Sequence, residues 1–210
     1  NLAFLDIYKN EFGLEPASTQ GFVAIMALPW TPKLLYGIIC DTFPICKSRK
    51  RSYIVIMGFL QGSTAMAIPY LASYQYRSAE MITALGTVLA FTGAFMDVVV
   101  DGLMVIQSRN DPDCGSEELQ SYSWMLLGIG GICGGLIGGE LTYSEQVDFV
   151  FYVFGCLGFL VSFSGILMSA SVEASGEKVV SMSLGNRVRT NLAEIRNGFQ
   201  IPEMYRSLLF

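Results

Sequence analysis

Apolar residues gather along this chain in five blocks, each long enough for the ~20 mainly apolar residues that a membrane-crossing helix needs. The blocks run near Gly21–Cys40, Tyr53–Ser73, Met81–Gln107, Tyr122–Leu141 and Val147–Ser171. Polar, charged and proline-bearing stretches separate them. The pattern predicts an all-α, polytopic transmembrane helix bundle. A sixth stretch differs: Leu184, Val188, Leu192, Ile195 and Phe199 recur at helical spacing, with Arg187, Arg189 and Arg196 away from that face. This predicts an amphipathic helix on the inner membrane surface, a tether between two halves of a larger protein, with a solvated linker as the alternative.

Composition supports the membrane reading. Of the 210 residues, 52% are hydrophobic and 15% charged, whereas a soluble domain carries roughly 25% charge. Gly, at 22 residues, suits helices that approach one another closely. With no His, imidazole-based metal sites and Ser–His or Cys–His catalysis are excluded, and no cofactor or metal is expected. A net charge of −5 offers nucleic acid no basic face.

Basic residues set the orientation. Lys47, Arg49, Lys50 and Arg51 follow the first span, Arg109 follows the third, and Lys178, Arg187, Arg189, Arg196 and Arg206 follow the fifth. Only Lys9 and Arg77 lie on the other side. Because the positive-inside rule counts Lys and Arg, those three regions are expected in the cytosol and Asn1–Ala17 outside. The start on the outer side without Met, and an apolar run opening at Ser207–Phe210 after Pro202, predict a fragment. Its expected parts are a membrane bundle over 1–172, a cytosolic linker over 173–201 and the start of a further helix over 202–210. Cys40, Cys46, Cys114, Cys133 and Cys156 are expected as free thiols.

Charges inside spans are costly and mark candidate function. At ~1.5 Å per residue Lys33 lies roughly 18 Å, and Asp97 roughly 24 Å, from the same membrane edge, so the two can meet. Asp101 shares a helix face with Asp97. Such a group can carry a proton or bind a charged solute; the alternative is a structural ion pair. Pro29 and Pro32 break the first span beside Trp30, freeing carbonyls to line a cavity. Trp30 can stack on a flat aromatic solute or simply pack. In the fourth span Gly130, Gly134 and Gly138 form one four-residue ladder, and Gly131, Gly135 and Gly139 a second. This double ridge predicts close helix contact.

The run Pro29-Trp30-Thr-Pro-Lys33-Leu-Leu-Tyr36-Gly37-Ile-Ile-Cys-Asp41-Thr-Phe-Pro44-Ile45 resembles the signature P-W-x-x-K-P-L-Y-G-x-x-x-D-x-x-P-I of the folate–biopterin transporter family, within the major facilitator superfamily. Arg49-Lys50-Arg51-Ser-Tyr53, Asp97-Val-Val-Val-Asp101 and Leu119-Gln120-Ser121 are similar to further blocks of that family. Leu34 stands where the family has proline, and Lys47-Ser48 where it has a Gly–aromatic pair. The resemblance implies two six-helix halves rocking about a central site, with this chain holding most of the first half. It implies folate or pterin substrates, typically with proton coupling. On it, Lys33, Asp97, Asp101, Trp30 and Tyr36 are expected at the substrate or proton site. Gly37, Asp41, Arg49, Lys50 and Arg51 are expected at a cytosolic gate. A non-transporting membrane scaffold subunit with the same fold is the competing reading, and an intramembrane enzyme a distant third. The membrane expected is the plasma membrane or an organelle envelope.

Overall fold

Each apolar block is helical in the computed structural model of the chain, which describes residues 2–45, 48, 50–73, 78–108, 115–144, 146–169 and 193. The linker over 173–201, apart from Ala193, and the helix start over 202–210 lie outside the described residues, as do Lys47, Arg49, Arg109, Cys46 and Cys114. Helix α1 (Leu2–Asp6) runs into a π-helical turn at Ile7–Glu11. Next come α2 (Pro16–Ala27), a 3₁₀ turn at Leu28–Trp30, and α3 (Lys33–Thr42). Helices α4 (Arg51–Ser73), α5 (Ala79–Ser108), α6 (Gly115–Tyr143) and α7 (Val147–Leu167) follow. Among the described residues, five stretches are long and apolar enough to cross a membrane: Pro16–Thr42, Arg51–Leu71, Ala79–Ser108, Gly115–Tyr143 and Val147–Leu167.

The first span is broken where its prolines fall. Pro29 and Pro32 lack the N–H that would continue the α-helical ladder, so the backbone tightens to a 3₁₀ turn and restarts at Lys33. Pro16, by contrast, sits at the first turn of α2, where no N–H is needed.

Leu2–Glu11 is packed against the bundle, with Ala3, Ile7 and Tyr8 buried. The Tyr8 hydroxyl and Thr83 Oγ1 lie 2.6 Å apart in a buried hydrogen bond, and Phe4 meets Phe151 of α7 edge to face. A first core cluster joins these residues to Met26, Ile68, Ile82 and Leu89. A second ties α3, α4 and α5 together through Tyr36, Cys40, Tyr53, Met57, Phe95 and Val99.

Inside lipid the helices gain little from hiding apolar surface, so close van der Waals contact decides how they associate. The tightest crossing is α4 on α7. A Cβ on Gly58 would stand 2.7 Å from Ser162 N, and one on Gly158 would stand 2.7 Å from Gly62 N. The two backbones therefore touch, and Ser162 Oγ donates to Val55 O at 2.9 Å across the seam. Large apolar side chains such as Phe59, Leu157 and Leu167 point outward, as lipid-facing residues do.

The glycine ridge of α6 meets none of the other described helices. A Cβ built on Gly130, Gly131, Gly134, Gly135, Gly138 or Gly139 would meet no described atom within 4 Å beyond the helix's own backbone, and α6 is exposed over nearly its whole length. The close glycine packing lies instead at Gly58-x-x-x-Gly62 against Gly155 and Gly158. A ladder of small residues permits close approach without saying which helix makes it.

Candidate functional site

The break in the first span aims the chemistry. Lys33 is the first residue of α3, so its side chain leaves the helix beside the 3₁₀ turn that carries Trp30. Its Nζ donates to Asp97 Oδ2 of α5 at 2.5 Å, and it stands 4.5 Å from the centroid of the Trp30 ring. A cation at that distance from an indole face gains from the ring quadrupole. Lys33 thus joins a carboxylate to an aromatic plate. The pair is half-exposed, at 39% and 38%, and Trp30 is 45% exposed, so the group is open on one side. Asp101, one helical turn beyond Asp97, is exposed and within electrostatic reach of both Asp97 and Lys33.

Tyr36 takes another place than expected. It is buried, its ring packed on Phe95 at 5.2 Å and edge-on to Phe91 at 5.4 Å. Its hydroxyl donates to Pro29 O at 2.8 Å, satisfying a carbonyl left over at the break. Tyr36 therefore braces the turn that presents Trp30 and Lys33, and its ring is not open for stacking on a solute.

A second ion pair lies at the other end of α3. Lys50, just ahead of α4, is buried, and its Nζ donates to Asp41 Oδ1 at 3.2 Å. The same Nζ lies 3.8 Å from Cys40 Sγ. Lys33 and Asp41 are eight residues apart, about 12 Å along the helix, so α3 is a short rod with an ion pair at either end. Gly37, between them, faces Val98 with room for a methyl group. The basic residues do not all converge on Asp41. Arg51 Nε donates to Gly165 O at 3.1 Å and Nη2 to Ile166 O at 2.7 Å, closing the C-terminal end of α7. Arg49 lies outside the described residues. Among the described residues no cluster of three or more Cys, Asp or Glu is placed to hold a metal ion, and Cys40, Cys133 and Cys156 are free thiols.

Sequence reasoning missed Phe91 and Phe95, which hold Tyr36, and Gly58 and Gly62, whose four-residue spacing was the available signal.

The profile of the BT1 family matches residues 2–210. The chain belongs to the BT1 family. Its relatives include "Probable folate-biopterin transporter 4" of Arabidopsis thaliana, 30% identical over 78% of this chain and 33% of the relative. "Folate-biopterin transporter" of Synechocystis sp. is 31% identical over 84% of this chain and 35% of the relative. "Folate transporter 1" of Plasmodium falciparum is 25% identical over 53% of this chain and 21% of the relative. The chain thus spans about a third of the length of the first two. No solved structure matches it. This BT1 chain is a multi-pass integral membrane protein, and what its relatives' names describe is transport.

Proposed function

We propose that this BT1 chain is part of a secondary active transporter that moves folate or pterin-type solutes across a membrane with proton coupling. The observation that carries the reading is the Lys33–Asp97 pair, set beside an open Trp30 at a proline break inside a span. An aromatic plate suits the flat pterin ring, and a carboxylate suits its amino and ring N–H donors. Lys33 engages Oδ2 of Asp97, so a solute donor can bond to Oδ1 or compete with the ammonium for Oδ2. Asp101 then offers Lys33 a second anion one turn nearer the cytosol, which frees Asp97 to carry the coupled proton. The transporter names of the relatives support the substrate class.

The reading assigns residues 1–172 to the first of two six-helix halves of the major facilitator type, rocking about the central site. It assigns residues 173–201 to the cytosolic connection and 202–210 to the start of the second half. Asp41 and Lys50 then close the cytosolic side, assisted by Arg49, Arg51 and Gly37. The bare ridge Gly130–Gly139 packs on a helix beyond the described residues.

Vesicles holding the full-length protein test this. Saturable uptake of labelled folate or biopterin, enhanced by an inward proton gradient, is expected. Well-folded protein that moves neither solute would favour the scaffold reading.

A further inference from the structure

The buried Lys50 raises the question of how a long cationic side chain finds room between packed helices. It runs across α5 at Gly102. A Cβ built on Gly102 would overlap Lys50 Nζ and stand 3.0 Å from its Cε and 3.7 Å from its Cδ. The ammonium therefore lies in the space that a side chain at this position would fill, with Cε pressed close and Cδ in ordinary contact. Beyond that notch the ammonium meets Asp41 Oδ1 at 3.2 Å and passes Cys40 Sγ at 3.8 Å. Cys40 is fully buried. Gly102 lies within α5, where helix propensity alone favours alanine over glycine, so its occurrence there asks for a packing reason.

We propose that Gly102 is the positioning residue of a three-helix latch: its missing side chain forms the slot through which Lys50 reaches Asp41 and closes the end of α3 over Cys40. The slot lies on the helix that carries Asp97 and Asp101, so movement of α5 relative to α3 at the ion-pair site also moves the wall of the slot. Only this consequence for transport rests on the function proposed above; the latch itself does not.

The group that must yield in Gly102→Ala is the tip of a flexible side chain, and no backbone has to move. The variant is therefore expected to fold and to evict the ammonium. The test uses the full-length protein purified in detergent, with every cysteine except Cys40 replaced by serine and a maleimide as probe. Cys40 is expected to react slowly in the parent and on the order of tenfold faster in Gly102→Ala, because exposure follows the population of the open form. Lys50→Ala should label equally fast. Adding Gly102→Ala to Lys50→Ala should change nothing further, because an empty slot needs no glycine. Parent-like protection in Gly102→Ala or in Lys50→Ala would overturn the proposal. So would an additional effect of Gly102→Ala in the Lys50→Ala background, which would assign the glycine to some other contact. Folate or biopterin uptake is not read in this assay, so failure of the latch and failure of the transport reading are separate results.

Discussion

Removing one partner of the Lys33–Asp97 pair is the perturbation whose outcome the geometry most constrains. At an effective dielectric of ~20, unit charges roughly 3 Å apart attract by about 5 kcal/mol before desolvation is counted. Desolvation opposes this, and both side chains keep more than a third of their exposure, so the pair lies between the surface and buried limits. A net coupling of about 1–3 kcal/mol follows from those limits. Lys33→Ala and Asp97→Asn should each lower the apparent melting temperature of the purified full-length protein, because each strands a charge inside a span. Lys33→Ala/Asp97→Asn should recover part of that loss, since no lone charge remains. It should not recover proton-coupled uptake if Asp97 carries the proton, because asparagine cannot titrate. The assay is a double-mutant cycle read by thermal melting in detergent and by uptake in vesicles. Losses that simply add in the double variant would refute the pairing. Recovery of stability and coupling together would reduce the pair to a structural tie.

Three further outcomes follow from the packing. Gly158→Ala should destabilise the bundle by about 1–3 kcal/mol, seen as a lower melting temperature, because the added Cβ meets the Gly62 backbone, which cannot swing aside. Gly134→Leu leaves every described contact intact, so reduced yield or uptake in the full-length protein would report a helix on the ridge, as expected; parent-like behaviour would leave the ridge facing lipid. Arg51→Ala should cost about 1.5–3 kcal/mol through its charged bonds to Gly165 O and Ile166 O, with Arg51→Lys restoring only part because an ammonium lacks the planar fork.

What the sequence revealed and what it hid have separate physical causes. The helices were legible because lipid demands some 20 apolar residues in a row, and the break at Leu28–Trp30 was legible because proline removes a donor wherever it falls. The Lys33–Asp97 pair could be anticipated from depth alone, since two charges at similar depth in a dry medium have strong reason to meet. Depth carries no rotational information, and there the reading failed. Tyr36 shares a block with Trp30 and Lys33, yet its ring turns inward onto Phe91 and Phe95. Arg51 adjoins Lys50, yet it crosses to α7 while Lys50 crosses to α3 and α5. Glycine ladders behave likewise. Among the described residues the modest Gly58–Gly62 pair makes the tight crossing and the richer ridge of α6 makes none, because which face meets which neighbour is settled by tertiary packing.

The central claim, that a charged pair at a proline break handles a folate or pterin-type solute and its proton, is tested most directly by gradient-driven uptake. Labelled folate and biopterin would be offered to vesicles holding either the full-length parent or Asp97→Asn at equal protein content, with and without an inward proton gradient. The account predicts that the gradient accelerates uptake in the parent and that the acceleration disappears in Asp97→Asn. Equal acceleration in both proteins would contradict it.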